Sequence, residues 1–409
     1  MTEDPYTPAV TVEPTCGSVG LETWTCNLND DVLERDIPAT GVHEWNDGTV
    51  TTEATYFEEG RRTFICMTCQ SEKLEVIPVL IDEVFEVSDP NLEAALRDAI
   101  NKPTGILMVS DFYHITELDI KYKDITDISP LAKLTNLVYL DISGNNIRDI
   151  SALTKLSNLT YLDLWGNNII DISPLSQLTS LSSLYLYING VNLVDLSPLA
   201  TLTKLTYLHI NGDNIIDISP LANLINLTYL NLSYSNITNI SPLANLKNLT
   251  ELSLFENNII DISPLTNLTN LTYLGLGKNN ITDISPLAKL INLQEIDLYV
   301  NNIIDISPLA NLTNLTYLEL FTNNISDISS LATLTNLTYL DLGNNNISDI
   351  SSLAKLTNLT ELTLWRNNIN DIAPLANLKK LNCLKLSYEY INNIDWSPVD
   401  HVGQVYGRP

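Results

Sequence analysis

Residues 156–175 have the sequence LSNLTYLDLWGNNIIDISPL, and a closely similar sequence recurs every 22 residues from about Ile115 to Ile394. A fixed period of this length predicts a solenoid in which each copy forms one turn. The strand segments number 13 turns, and the turn around Tyr187–Leu193 is longer by two residues. Because one turn cannot bury its own leucines, neighbouring turns must supply the rest of the core.

Each turn is predicted to contain a strand, a buried polar residue and a short helical return. Residues 161–165 alternate leucine with polar or aromatic side chains, as a half-buried strand does. Asn167 follows, and a buried Asn can bond backbone groups of adjacent turns. Ser173 before Pro174 is typical of an N-cap followed by the first helical residue. The predicted fold is an α/β leucine-rich-repeat horseshoe, with a parallel β-sheet on its concave face and short 3-10 or helical turns on its convex face.

The composition is strongly acidic, with a formal net charge of −28. This balance argues against nucleic acid, which is bound through Lys and Arg, and it favours basic partners. Part of the acid belongs to the repeat, since an Asp precedes Ile at Asp171, Asp305 and their equivalents. The favoured interpretation is that each such Asp accepts hydrogen bonds from its own turn, and the alternative is a carboxylate ladder that collects cations.

The wording Asn-x-Ile-x-Asp-Ile-Ser-Pro-Leu resembles the 22-residue repeat of bacterial internalin-type surface proteins, over roughly residues 84–395. Residues 87–103 also resemble the helical cap that precedes such arrays, with Asp89 as N-cap and Pro90 at the first helical position. The resemblance implies an adhesin-like protein, bacterial and extracellular or on the cell surface, that binds a partner on the concave face. It does not imply the same receptor.

Residues 1–80 are predicted to hold two degenerate β modules, 10–38 and 50–78, offset by 40 residues. They resemble small tandem modules of bacterial extracellular proteins with the pattern C-x9-C-x2-C. Both copies depart from it, because Asn29 replaces the third cysteine of the first and Tyr56 the first cysteine of the second. This small β-rich region is followed by a helical cap over 84–114, the repeats over 115–395, and a C-terminal cap or tail over 396–409.

The cysteines of these modules leave three alternatives open. Cys66 and Cys69, together with Cys26 and His43, could form a zinc site. A Cys16–Cys26 disulfide is plausible outside the cell. The favoured alternative is free thiols in decayed modules, because neither copy carries a complete ligand set. We therefore expect no metal and no cofactor.

The side chains that alternate with the buried leucines are predicted to face the concave side and to bind the partner. Three of them per strand form three columns along the sheet. The first column is mostly tyrosine, and stacking that stabilises the sheet is the favoured interpretation there. Aromatic residues that vary against the template in the third column are better candidates for binding. With the acidic middle column and one histidine, the candidate residues are Trp165, Tyr187, His209, Phe255, Tyr299, Phe321, Trp365, Asp163, Asp297, Glu319 and Asp341.

The irregular stretch 187–235 is a second candidate site, because Asp213 and Ser235 replace the recurring Asn there. No set of groups in the sequence resembles a catalytic centre. We therefore expect a non-enzymatic binding protein whose partner is another protein with a basic or aromatic surface. We also expect no nucleic acid, no membrane insertion and a monomer. The alternative is an intracellular or structural scaffold that cups and regulates its partner. No signal peptide is visible.

Overall fold

The structure, a computed structural model, describes residues 6–28, 30–187, 195–212, 215–386 and 395–408. Most of the longer turn after Tyr187, as well as Asp213, therefore lies outside the described residues. The chain divides into two compact units: residues 1–84 with 108–113, and residues 85–107 with 114–409.

The first unit contains two three-stranded antiparallel sheets that repeat each other. The first sheet has β1 (Tyr6–Val12), β2 (Gly20–Cys26) and β3 (Val32–Ile37), and the second has β4 (Thr49–Thr52), β5 (Gly60–Ile65) and β6 (Glu72–Ile77). The pairing of β1 with β2 is irregular between Val10 and Val12, and that of β4 with β5 between Val50 and Thr52. The two sequence segments that are offset by 40 residues therefore form sheets with the same strand arrangement. A short 3-10 segment, Val109–Phe112, completes this unit.

The second unit begins with helix α1, Pro90–Ala99, which covers the first turn of the solenoid. Asp89 Oδ1 accepts the backbone N–H groups of Asn91 (2.9 Å) and Leu92 (3.1 Å). Asp89 Oδ2 accepts the N–H of Thr126 at 2.7 Å, which ties the helix start to the first repeat. Burial alone would raise the pKa of Asp89, but these hydrogen bonds lower it to about 2. Leu92 and Leu96 are fully buried.

The solenoid is a single parallel sheet of 14 strands in sequence order, which confirms the predicted fold class. Thirteen strands come from the repeats, one per turn, and the last comes from the tail. They are β7 (Glu117–Asp119), β8 (Tyr139–Asp141), β9 (Tyr161–Asp163), β10 (Ser183–Tyr187), β11 (Tyr207–Asn211), β12 (Tyr229–Asn231), β13 (Glu251–Ser253), β14 (Tyr273–Gly275), β15 (Glu295–Asp297), β16 (Tyr317–Glu319), β17 (Tyr339–Asp341), β18 (Glu361–Thr363), β19 (Cys383–Lys385) and β20 (Gln404–Tyr406).

On the convex side each described turn returns through one short 3-10 helix, as in Ser173–Gln177 and Ser307–Asn311. The others are Ser129–Lys133, Ser151–Lys155, Ser197–Thr201, Ser219–Asn223, Ser241–Asn245, Ser263–Asn267, Ser285–Lys289, Ser329–Thr333, Ser351–Lys355, Ala373–Asn377 and Ser397–Val399. The leucines of the repeat lie between these helices and the sheet, and nearly all are fully buried.

The predicted N-cap role of the serine is wrong, because the aspartate two residues earlier does the capping. Ser173 is already the first residue of its 3-10 helix, and its hydroxyl donates to Asp171 Oδ2 at 2.8 Å. Instead, Asp171 Oδ1 accepts the Ser173 N–H at 2.8 Å. Asp305 makes the same bond to Ser307, and hydrogen bonds from the backbone and hydroxyl of Ser307 lower the pKa of Asp305. The recurring Asp therefore serves its own turn.

The recurring Asn forms what we call the asparagine ladder, which links each turn to the one before it. Asn301 is typical: its Oδ1 accepts the N–H of Ile281 at 3.0 Å, and its Nδ2 donates to the carbonyls of Leu276 (3.0 Å) and Leu298 (3.1 Å). These backbone groups face the apolar interior, where water cannot pair with them. The other described members of the ladder are Asn145, Asn167, Asn257, Asn279, Asn323, Asn345 and Asn367.

The last repeat is covered by strand β20 and by Val399 and Val402, which are buried. Trp396, which takes the place of the usual Ile, is only half-buried, and the guanidinium of Arg408 lies 5.9 Å from its ring centroid. The tail therefore closes the solenoid by strand addition and by the two valines, and Trp396 is not its main cover.

We predict that Asn301→Ala lowers the free energy of unfolding by roughly 2–3 kcal/mol, because it leaves an N–H and two carbonyl groups unpaired in the interior. Urea unfolding followed by circular dichroism measures this difference. Asn302→Ala is the matched control, since that side chain is exposed on the same turn. Equal losses in the two variants would contradict a structural role for the ladder.

Candidate binding site on the concave face

The side chains that alternate with the leucines lie on the opposite face of the sheet, as predicted. In β9, Leu162 is fully buried, whereas Tyr161 and Asp163 point away from the core. None of the 11 candidate residues is fully exposed, however, and all are half-buried. Neighbouring strands lie close enough for side chains of one column to cover one another.

The tyrosines of the first column stack between successive turns. The ring centroids of Tyr207 and Tyr229 are 4.0 Å apart with an interplanar angle of 3°. Tyr317 and Tyr339 stack at 4.4 Å, and burial raises the pKa of both hydroxyls. Stacking of this kind stabilises strand pairing, so this column has a structural role.

A cavity of about 800 Å³ lies on the concave face between β9 and β15. It brings together six of the candidate residues, which are Trp165, Tyr187, His209, Phe255, Asp297 and Tyr299. Of the remaining lining residues, Asn211, Asn231, Ser233 and Tyr234 belong to the stretch 187–235 predicted as a second candidate site, whereas Ser253 and Tyr273 were not among the predicted site residues. A volume of this size fits the range of ligand pockets, which are lined by aromatic residues with a few polar groups.

The cavity exists because small side chains replace large ones in the middle of the array. Ser253 and Gly275 occupy the middle column where neighbouring turns carry Asp297 or Glu319. A Cβ at Gly275 would lie 3.0 Å from Tyr273 Oη, so the absence of a side chain at Gly275 leaves space for the Tyr273 ring. The signal was present in the sequence as a run of small residues between two groups of aromatics.

The aromatic walls come from both ends of this run. Trp165 stacks on Tyr187 at 4.9 Å and contacts His209 at 4.8 Å between ring centroids. On the other side, Phe255 lies 5.6 Å from Tyr299. The two aromatic groups thus face each other across a polar floor of serine and asparagine side chains.

The asparagine ladder is interrupted beneath this cavity. In regular turns the N–H of the Ile bonds the next Asn, as Ile237 does with Asn257 Oδ1 at 3.0 Å. Ser235 is too short for this, and the N–H of Ile215 bonds the carbonyl of Gly212 at 3.1 Å instead. The irregular stretch predicted as a second candidate site and the aromatic candidates therefore converge on one place.

Burial shifts the pKa of four titratable groups of the cavity: it raises those of Tyr273, Asp297 and Tyr299 and lowers that of His209. Desolvation raises the pKa of Asp297 to about 7, although its Oδ1 accepts the N–H of Tyr299 at 3.1 Å. Desolvation also lowers the pKa of His209, which the Asn211 side chain offsets only in part. At neutral pH the site therefore holds a carboxyl that is partly protonated and an imidazole that is mostly neutral.

The other candidate residues lie outside the cavity. Phe321 stacks on Trp365 at 5.4 Å, and the guanidinium of Arg366 lies 4.8 Å from the Trp365 ring. Glu319 Oε1 accepts the hydroxyl groups of the first-column tyrosines on its own and the next strand. These groups already have partners within the chain, so they form a separate patch.

The two remaining acidic candidates are also held by their own strands. Asp163 and Asp341 each accept a backbone N–H two residues on, at 2.8 Å. Burial raises the pKa of Asp163 to about 6 and also raises the pKa of Asp341. Acidic side chains therefore lie beside aromatic ones along the whole concave face. Among the four acidic candidates, only Asp297 lines the cavity.

In the first unit the structure corrects the predictions for the cysteines. One ligand atom each from Cys16, His43, Cys66 and Cys69 lies within 4.8 Å of the other three, so four donors meet although no single module carries a full set. Cys26 is not among them. The alternative of a Cys16–Cys26 disulfide is not found, since all five cysteines, each within the described residues, are free, as the favoured alternative had it.

Comparison with known proteins agrees with this architecture. Residues 114–155, 157–201, 225–267, 269–311, 291–333 and 313–355 match the family described as Leucine Rich repeats (2 copies). An internalin (inlF) from Listeria monocytogenes is similar at 39% identity and a TM-score of 0.74, over 78% of this chain and 94% of that one. The chain is therefore an internalin-like member of the leucine-rich-repeat family.

More distant structures share the fold alone. The functional domain of InlJ from Listeria monocytogenes is 24% identical, with a TM-score of 0.58 over 80% of this chain and 67% of that one. The plant peptide hormone receptor RGFR1, in complex with RGF2, is 20% identical, with a TM-score of 0.55 over 72% and 56%. No curated protein sequence matches the chain. Within the described ranges, none of the helices has the length and apolar character to cross a bilayer.

We predict that Asp297→Asn stabilises the solenoid at alkaline pH. The folded state keeps the Asp297 proton up to about pH 7, whereas an unfolded Asp releases it near pH 4, so this contribution to stability is lost as pH rises through that window. The amide cannot ionise and still accepts the Tyr299 N–H. We expect a gain on the order of 1–2 kcal/mol at pH 8, discounted for partial solvation, which vanishes toward pH 4.

Urea unfolding at several pH values measures this effect. Asp305→Asn is the control with the opposite sign, because hydrogen bonds lower the pKa of Asp305 and its ionised form stabilises the chain at neutral pH. A parallel pH response of the two variants would show that burial does not govern Asp297.

Proposed function

We propose that this protein is a non-enzymatic binding protein that holds a segment of another protein on its concave face, extracellularly or at the bacterial cell surface. The observation that carries the proposal is the cavity of about 800 Å³ with aromatic walls. Exposed or half-exposed aromatic residues gathered in a concave site are typical of protein-binding hot spots. Membership among internalin-like proteins supports the location and the adhesin-like role.

The chemistry of the cavity indicates which segment it accepts. Aromatic groups line the cavity together with serine and asparagine side chains, which suits an apolar or aromatic side chain flanked by backbone that bonds to serine and asparagine. At one end, Asp297 is desolvated and its pKa is raised to about 7. A Lys or Arg from the partner would favour the ionised carboxylate and pair with it. The proposed ligand is therefore a peptide segment that combines a basic residue with an apolar one.

The aromatic patch outside the cavity is a weaker site for a basic partner. The Arg366 guanidinium already lies 4.8 Å from the Trp365 ring centroid, and a basic group of the partner would have to displace it. Phe321 and Trp365 lie outside the cavity, so they serve as a matched control for its aromatic residues.

We predict that peptides selected from a random displayed library on the full chain contain Lys or Arg next to an apolar or aromatic residue. Substituting Phe255 and Tyr299 by Ala should weaken their affinity about 30-fold or more, because two hot-spot contacts of about 1 kcal/mol or more each are removed. Phe321→Ala with Trp365→Ala should change the affinity less than about threefold. Calorimetry measures both, and circular dichroism checks that the variants are folded.

Two outcomes would contradict the proposal. In the first, the control pair weakens binding as much as the cavity pair does, which would move the site to the outer patch. In the second, the selected peptides bind both variants and the parent chain equally, which would place binding outside the concave face.

A further inference from the structure

The two β modules of the first unit have almost no hydrophobic core of their own. In the described part of residues 6–84, only five residues are buried: Cys16, Cys26, Cys66, Gly20 and Gly60. The outer strands are exposed along most of their length, as β1 and β6 show. Three-stranded modules of this size cannot bury enough apolar surface to be stable alone, and such domains usually depend on disulfides or a metal ion. Since the cysteines are free, another stabilising device is required.

Three of the four clustered donors are thiols that meet across the two modules. Cys16 lies in the loop after β1, whereas Cys66 and Cys69 lie in the turn after β5. Cys16 Sγ is 3.3 Å from Cys66 Sγ, and Cys69 Sγ is 3.3 Å from His43 Nδ1. A sulfur–sulfur bond is about 2.05 Å long, so the first pair is not a disulfide. In a tetrahedral zinc site with Zn–S bonds of about 2.3 Å, sulfur atoms lie roughly 3.7 Å apart.

We propose that Cys16, His43, Cys66 and Cys69 bind one Zn²⁺ ion that staples the two β modules together. Three thiolates and one imidazole form one of the usual donor sets of structural zinc sites, and the Cys-x2-Cys spacing of residues 66–69 is typical of them. The ion supplies the centre that the apolar side chains do not provide.

The backbone holds each donor in place independently of any ion. The loop of Cys16 is closed by the Thr15 hydroxyl, which accepts the N–H of Ser18 at 3.1 Å, and it is fixed by the Thr40 N–H on the carbonyl of Thr15 at 3.0 Å. On the other side, the Cys66 N–H donates to the Ser71 carbonyl at 2.9 Å and the Gln70 N–H donates to the Cys66 carbonyl at 3.0 Å, which closes the turn that carries Cys66 and Cys69.

His43 is positioned by the segment that joins the modules. Trp45 forms an antiparallel bridge with Cys66, and the Met67 N–H donates to the Glu44 carbonyl at 2.9 Å. The His43 and Trp45 ring centroids are 5.0 Å apart, so the indole limits the orientation of the imidazole.

The 40-residue repeat explains why the set is complete at one place only. Thr55 and Tyr56 occupy in the second module the positions of Thr15 and Cys16 in the first. Likewise, Cys26 and Asn29 occupy the positions of Cys66 and Cys69. Where two modules meet, the first thiol comes from one module and the Cys-x2-Cys pair comes from the next. Tyr56 and Asn29 do not stand at ligand positions of the junction between these two modules, so neither departure removes a ligand there.

The test is zinc binding by the untagged full chain, first stripped of metal with a chelator and kept reduced. Zn²⁺ alone is added, and the rate at which iodoacetamide labels each thiol is read by peptide mass spectrometry. We expect one Zn²⁺ per chain and protection of Cys16, Cys66 and Cys69, with no zinc effect on Cys383. Replacing Zn²⁺ by Co²⁺ should give the visible absorption bands of a tetrahedral thiolate site.

Variants separate this site from adventitious binding. Cys16→Ser and His43→Ala should each weaken zinc affinity more than about 100-fold, because each removes a direct ligand. Cys26→Ser is the matched control, since Cys26 is a buried cysteine of the same unit at the position equivalent to Cys66, and it should leave the affinity unchanged.

Three results would overturn the proposal. They are undiminished zinc affinity in Cys16→Ser, a Cys16–Cys66 disulfide in protein isolated without reductant, and no zinc-dependent protection of any thiol in the parent chain. The last measurement needs no variant, so a failure of a variant to fold does not affect it. None of these results bears on the concave face, whose test is independent.

Discussion

The solenoid depends on one constraint, which is that every turn brings backbone N–H and C=O groups into an apolar interior where they must find partners. The leucines supply the driving force for stacking, but they cannot pair these groups. The asparagine ladder does, since one side chain such as Asn301 serves the backbone of its own turn and of the turn before it. Registration of adjacent turns is therefore specified by hydrogen bonds and not by leucine packing alone.

The place where this constraint is relaxed is also the place where the concave face opens. At Ser235 the ladder is interrupted, and the backbone of Ile215 is satisfied within its own turn. On the concave side of the same turns, small side chains replace acidic and aromatic ones, and the cavity results. A solenoid whose other turns are closely paired can tolerate a few weaker ones, because each turn contacts only its neighbours.

The sequence predicts the repeat, the parallel sheet and the alternation of buried and outward side chains, since these follow from periodicity. It does not predict that Asp171 rather than Ser173 caps its helix, because the choice depends on the direction of a tight turn. It names both aromatic walls of the cavity but misses the small residues between them, because a hollow is defined by what neighbouring side chains leave empty. It also places Cys26 instead of Cys16 beside Cys66 and Cys69, because the sequence does not show which loop of the first module meets the turn of the second.

The aspartates show why composition alone misleads about the binding face. On the convex side, the pKa values of Asp261, Asp305, Asp327 and Asp349 are lowered, because the hydrogen bonds of their turns favour the ionised form. On the concave side, burial raises the pKa of Asp297 and Asp163. The carboxyl groups of the two faces therefore differ: hydrogen bonds favour the ionised form of Asp305, whereas burial disfavours the ionised form of Asp297. In the proposed interaction, the acidic surface attracts a basic partner over a distance, and Asp297 on the concave face gains its full charge only when a cation of the partner replaces the lost water. Attraction and recognition would then rest on different aspartates.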